Sequence, residues 1–190
     1  MNDTLSPGFA APVADSQQCF RAIMDAMARP GRIARIGGVT PPSPLNIAAA
    51  ATVLSLAGNE TPLWLDPALN ACRSWIAFHA GSVFCPLAQA VFALTAELPD
   101  LEALNAGTHE EPETSATVIV QVASLSAGKS WRLSGPGLRE PVTLTVDGLP
   151  DDFAARWQRN RGQFPRGIDL VLCAGDALTA LPRTVLVEDI

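Results

Sequence analysis

Apolar positions in the first half of the chain recur at helical spacing, interrupted by short runs that suit strands. Cys19, Phe20, Ile23, Met24 and Met27 form one stripe at a period near 3.6. Asp15, with Gln18 three residues later, has a capping-box pattern and predicts the start of that helix. Pro30-Gly31 stops it, and Arg32 to Ile36 predict a strand. Ser43-Pro44 predicts the start of a second helix, because proline suits the first helical position. The Ala48 to Ala51 run lets that helix lie close to a sheet, and Gly58 ends it. Pro62 to Leu65 then suit a buried strand. Asp66-Pro67 opens a helix whose stripe is Leu69, Cys72, Ile76 and His79. Val91 to Leu94 suit another strand, and Pro99-Asp100 cap a short helix closing at Gly107.

The second half changes character. Thr117 to Val122 are a continuous, mostly β-branched run, as expected of a central strand buried on both faces. Trp131 to Ser134 and Val142 to Val146 alternate more and suit antiparallel or edge strands. Asp151 opens one more helix. Leu170 to Cys173 and Leu178 to Leu181 flank Gly175-Asp176, a hairpin turn. Alternating strands and helices followed by alternating strands predict an α/β fold. The sheet is mixed, largely parallel, lies between helices and carries antiparallel additions. No repeat or long linker divides residues 1–190, so the expectation is one domain.

Composition narrows the function. With 48% hydrophobic and 17% charged residues, the chain can bury a large core. A net charge of −6 argues against a protein that coats nucleic acid. The longest apolar stretch, Ile47 to Ala57, is too short to span a bilayer, and no signal-peptide pattern opens the chain. The expectation is a cytoplasmic protein with no membrane or nucleic-acid partner. Cys19, Cys72, Cys85 and Cys173 show no metal-ligand spacing and sit among apolar neighbours, as core thiols do. Of 13 basic residues only Lys129 is a lysine.

Candidate chemistry is sparse. Ala123 to Ser130 imitate a phosphate-binding loop, but alanine stands where the pattern needs glycine. Strand-like Trp131-Arg132-Leu133 follow where it needs a helix, so a hairpin loop is expected there. His79 falls on an apolar stripe, where a hydrogen-bonded histidine is the ordinary outcome. His109 adjoins the acidic run Glu110, Glu111 and Glu113, which reads as a solvated loop. Arg156, Arg159, Arg161 and Arg166 suit a polyphosphate. They equally complement the dipole of a helix that starts with Asp151 and Asp152. Asp169 and Arg183 frame the Gly175-Asp176 hairpin, which predicts that they meet as a structural ion pair or hydrogen-bonded pair.

Phe164-Pro165-Arg166-Gly167-Ile168-Asp169-Leu170-Val171-Leu172, closed by Leu181-Pro182-Arg183-Thr184, resembles the C-terminal signature of the PhnH family. Further matching segments follow in order: Phe20-Arg21 to Pro30-Gly31, Pro44 to Ala48, Thr61 to Leu65, Phe78-His79, Gly107-Thr108, Pro112 to Thr117, and Gln121 to Ser126. The resemblance implies an α/β/α sandwich similar to the large domain of pyridoxal-phosphate transferases, without the cofactor. It also implies an accessory, non-catalytic subunit of the bacterial carbon–phosphorus lyase system, partnered by PhnG, PhnI and PhnJ, with a homodimer in isolation. That complex transfers an alkylphosphonate onto the ribose C1 of ATP and later cleaves the carbon–phosphorus bond. No cofactor is expected on this chain. A pyridoxal enzyme needs a Schiff-base lysine, and the sole candidate is Lys129. The alternative is a nucleotide-binding subunit whose own triphosphate site uses the Arg156 to Arg166 cluster.

Overall fold

A computed structural model describes residues 6–190. The strands with continuous apolar runs build its centre. β2 (Leu63–Leu65), β3 (Phe92–Thr95), β4 (Thr117–Gln121) and β7 (Asp169–Ala174) are parallel neighbours. β8 (Ala177–Leu181) returns antiparallel beside β7, and β1 (Ala34–Arg35) closes the far edge, giving the order β1-β8-β7-β4-β3-β2. The β7–β8 turn is Gly175-Asp176, with Gly175 at φ +57°, a conformation glycine adopts without a Cβ penalty.

Side chains alternate between two cores across this sheet, as the strand period of two requires. Ile119, Val171, Cys173, Leu178 and Ala180 face one side. There they meet α1 (Pro12–Ala28), α2 (Ile47–Leu56) and α3 (Arg73–Ala80). Val118, Val120, Leu170, Leu172 and Leu181 face the other. Opposite them lie α4 (Phe153–Arg161) and a second sheet of order β6-β5-β9. It comprises β5 (Ser124–Ser134), β6 (Val142–Asp147) and β9 (Leu186–Asp189), all antiparallel.

β8 and β1 are thus the antiparallel additions to the central sheet, whereas the strands around Trp131 to Ser134 and Val142 to Val146 belong to a separate one. β9 carries only the short apolar run Leu186-Val187 and is fixed by its pairing with β5. Ala123 to Ser130 are not a hairpin loop either. Most of this segment is the first half of β5, which pairs with β6 through a register shift between Ser124 and Lys129.

Helix boundaries also move. α1 begins at Pro12 rather than Asp15, and the Asp15 carboxylate instead accepts the Ala11 N–H at 2.8 Å. Of its predicted stripe, Cys19 and Ile23 are buried, joined by Ala26, whereas Phe20 and Met24 face solvent. α2 begins after Asn46 and not at Ser43-Pro44. Asn46 Oδ1 accepts the Ala49 N–H at 2.8 Å, as an N-cap should, and its Nδ2 donates to the Cys173 carbonyl at 3.0 Å. Asp66 caps a 3₁₀ turn (Pro67–Cys72) that leads into α3. The helix expected after Pro99-Asp100 shrinks to one 3₁₀ turn, Leu101–Ala103.

Candidate functional site

The four parallel strands give the central sheet two chemically distinct edges, and the most recognisable residues gather at the N-terminal one. Asp169 starts β7, and Arg183 lies two residues beyond the end of β8. The pairing of Leu170 with Leu181 brings them together. Arg183 donates from Nε to Asp169 Oδ1 at 3.2 Å and from Nη2 to Oδ2 at 2.5 Å, while its backbone N–H reaches Oδ1 at 2.7 Å. Nη1 donates to the carbonyls of Pro112 at 2.9 Å and Pro165 at 3.4 Å, and Nη2 also reaches Ser115 Oγ. A guanidinium has five N–H donors, and each of these five has an acceptor from the protein itself. The pair is largely buried, with 14% of the arginine side chain and 20% of the aspartate exposed. Such a group ties the Pro112–Ser115 and Phe164–Gly167 segments to the ends of β7 and β8.

Asn160 works beside it. This fully enclosed side chain accepts the Ile168 N–H at 2.7 Å and donates to the Ile168 carbonyl at 2.8 Å. Gly167, at φ +128°, lies so close that a Cβ would stand 3.1 Å from the Asn160 carbonyl. Neither Asn160 nor Ser115 was legible beforehand, because a lone polar residue beside an apolar run reads as a surface position.

His79 is half-buried on α3, away from the Asp169–Arg183 group. Its Nε2 lies 3.0 Å from the Ser6 carbonyl, which also accepts the Trp75 indole N–H at 2.7 Å. A carbonyl only accepts, so Nε2 carries the proton. A Cβ on Gly8 would come within 2.7 Å of Nδ1. The histidine is thus occupied in holding the segment that leads into α1. His109 is exposed in its acidic loop.

The arginines following Asp151 do not converge on one cavity. Arg156 donates to Asp152 at 2.8 Å, and this bond is the chief reason the Asp152 carboxyl is held below its ordinary pKa. Arg159 pairs with Glu102 at 3.1 Å. Arg161 donates Nε to the Thr184 carbonyl at 3.3 Å. Arg166 is half-buried, and its Nε has no acceptor among the described residues. Arg156, Arg159 and Arg161 line three different cavities.

The C-terminal edge, where open α/β sheets usually receive ligands, holds the Arg156 cavity. Ala96 to Leu98, Gln121 and Gly148 to Pro150 also line its volume of about 570 Å³. Gln121 is committed inward: Oε1 accepts the Asn46 N–H at 2.5 Å and Nε2 donates to the Pro44 carbonyl at 3.3 Å. Lys129, on β5, reaches Asp189 and the Asp151 carbonyl, each at 2.8 Å. Among the described residues no three His, Cys, Asp or Glu side chains gather at metal-binding distance. Burial raises all four thiols, and Cys173, fully enclosed, is pushed up to about 12 against a hydrogen bond with Thr52 that lowers it.

The family model for the bacterial phosphonate metabolism protein PhnH matches residues 7–188. The chain belongs to the PhnH family. A relative from Rhizobium meliloti (strain 1021) is 41% identical over 96% of this chain and 95% of its own length. It is the alpha-D-ribose 1-methylphosphonate 5-triphosphate synthase subunit PhnH. A candidate C-P lyase subunit, HtxG of Stutzerimonas stutzeri, is 31% identical over 88% of this chain and 83% of its own. In this PhnH-family chain, the signature segments Phe164 to Leu172 and Leu181 to Thr184 are the ones joined by Asp169, Arg183 and Asn160. No described helix is long and apolar enough to cross a membrane.

Proposed function

We propose that this chain is an accessory, non-catalytic subunit of the complex that joins an alkylphosphonate to the ribose C1 of ATP, with adenine leaving. Its partners are subunits of the PhnG, PhnI and PhnJ kind, it works in the cytoplasm, and the carbon–phosphorus bond is cleaved at a later step. The carrying observation is the saturated Asp169–Arg183 group. Two of the three charges of the signature segments, Asp169 and Arg183, are joined, and every donor of the Arg183 guanidinium is spent on the protein's own acceptors. A residue used this way fixes a surface; it does not bind and release substrate.

On this reading residues 1–190 are one domain, whose two cores share the central sheet. We take its architecture to be a three-layer sandwich similar to the large domain of pyridoxal-phosphate transferases. Lys129, the sole lysine, lies on β5 with its amine paired to Asp189 and the Asp151 carbonyl. The alternative triphosphate site is disfavoured, because Arg156 and Arg159 serve separate cavities and hold their own carboxylates. Deleting the gene, in a strain with no second copy, should abolish growth on methylphosphonate and leave growth on phosphate unchanged. Unimpaired growth on methylphosphonate would remove the assignment.

A further inference from the structure

Phe164 is 63% exposed, yet the backbone around it is fixed. Its N–H donates to the Arg161 carbonyl at 3.1 Å, and the Pro165 carbonyl accepts from Arg183. The N–H of Arg166 reaches the Gln163 carbonyl at 3.1 Å, and that of Gly167 reaches Ala106 at 2.9 Å. An aromatic ring in water on a rigid frame loses little conformational freedom when it is covered, so covering it gives a large net gain.

The ring lines a cavity of about 270 Å³ with Pro136, Arg161 and Thr184. Pro136 comes from the β5–β6 turn, Thr184 from the β8–β9 connection and Arg161 from the last turn of α4. Apart from Arg161, the walls are uncharged. Arg156, Arg159 and Arg183 are bound to carboxylates of this chain, but Arg161 has none among the described residues. Its two terminal nitrogens have no hydrogen-bond partner there either.

Two features separate the possible occupants. Small-molecule sites typically enclose roughly 300–1,000 Å³, and this cavity falls just short of that range while suiting one large side chain. A triphosphate calls for several converging cations, and here a single guanidinium stands at the rim. Aromatic and arginine side chains around a small apolar pocket are the usual composition of a protein–protein hot spot.

We infer that this cavity is the seat for an anchor of a partner protein. One aliphatic or aromatic side chain of the partner inserts against Phe164 and Pro136, and a carboxylate beside it takes the terminal nitrogens of Arg161. The inference rests on the subunit reading above and names the surface through which the subunit docks. The exposed α1 residues Val13, Phe20 and Met24 are the competing face.

The test measures the affinity of the purified chain for the co-expressed PhnG, PhnI and PhnJ subunits. Phe164→Ala and Arg161→Glu should each weaken it about tenfold or more, whereas Phe20→Ser should leave it unchanged. Thermal melts followed by circular dichroism should match the native protein for all three, since the altered side chains are solvent-facing. Full affinity in both cavity variants, or a loss confined to Phe20→Ser, would overturn the inference while leaving the subunit reading intact. Failure of the native chain to bind those subunits would remove both. Calorimetric binding of ATP to the isolated chain that Arg161→Glu abolishes would make the cavity a small-anion site and overturn the inference as well.

Discussion

Asp169 and Arg183 show what can be read from residue positions and what cannot. A two-residue turn at Gly175-Asp176 fixes the β7–β8 register, so the far ends of the hairpin must meet and their opposite charges must pair. The further acceptors are invisible in the sequence. Ser115 Oγ and the Pro112 carbonyl come from a segment some 70 positions away, brought in by the pairing of β4 with β7. Because the pair is largely buried, removing one partner strands the other charge. Asp169→Asn should lower stability by roughly 3–5 kcal/mol. In a double-mutant cycle with Arg183→Met, followed by chemical denaturation, the combined loss should fall short of the sum by about 1 kcal/mol or more. Strictly additive losses would show that the pair carries no coupling.

At the scale of elements, strands were legible where continuous apolar runs made them, β-branched in β4 and leucine-rich in β7. They were missed where a strand is built from small polar residues. Ser124 to Ser130 read as a loop because serine, alanine and glycine carry no strand periodicity. Ser124, Lys129 and Ser130 pair with β6, and the register shift between Ser124 and Lys129 sets Gly128 against the partner backbone. At φ +102°, a Cβ there would stand 2.6 Å from Asp147 Cα. Gly128→Ala should therefore cost at least about 1–3 kcal/mol from backbone strain alone. It should also raise amide exchange selectively in β5 and β6. Native-like stability and exchange in that variant would mean the bulge is not held as described. In α1 the stripe was misread for a different reason. Two apolar faces share one helix, and periodicity does not say which of them the sheet covers.

For the molecule as a whole, alternation of strands and helices predicted the α/β class and a mixed, largely parallel sheet, but not the strand order. It did not separate two sheets. An alternating strand shows that one of its faces is buried, not which neighbour it pairs with. The short, acidic β9 segment carries almost no signal before β5 offers it an edge. The same limit held for function. The scattered arginines looked like one cluster in sequence, and the fold disperses three of them to separate cavities. What remains is a body whose Asp169 and Arg183 are used internally and whose rigid exposed aromatic faces outward, the form expected of a subunit that acts through contact. The decisive measurement is affinity purification of the tagged chain from its own cells grown on methylphosphonate as sole phosphorus source, with every recovered protein identified by mass. Recovery of PhnG, PhnI and PhnJ subunits in fixed stoichiometry with the chain is the predicted result. Recovery of the chain alone, while those three co-purify with one another without it, would contradict the account.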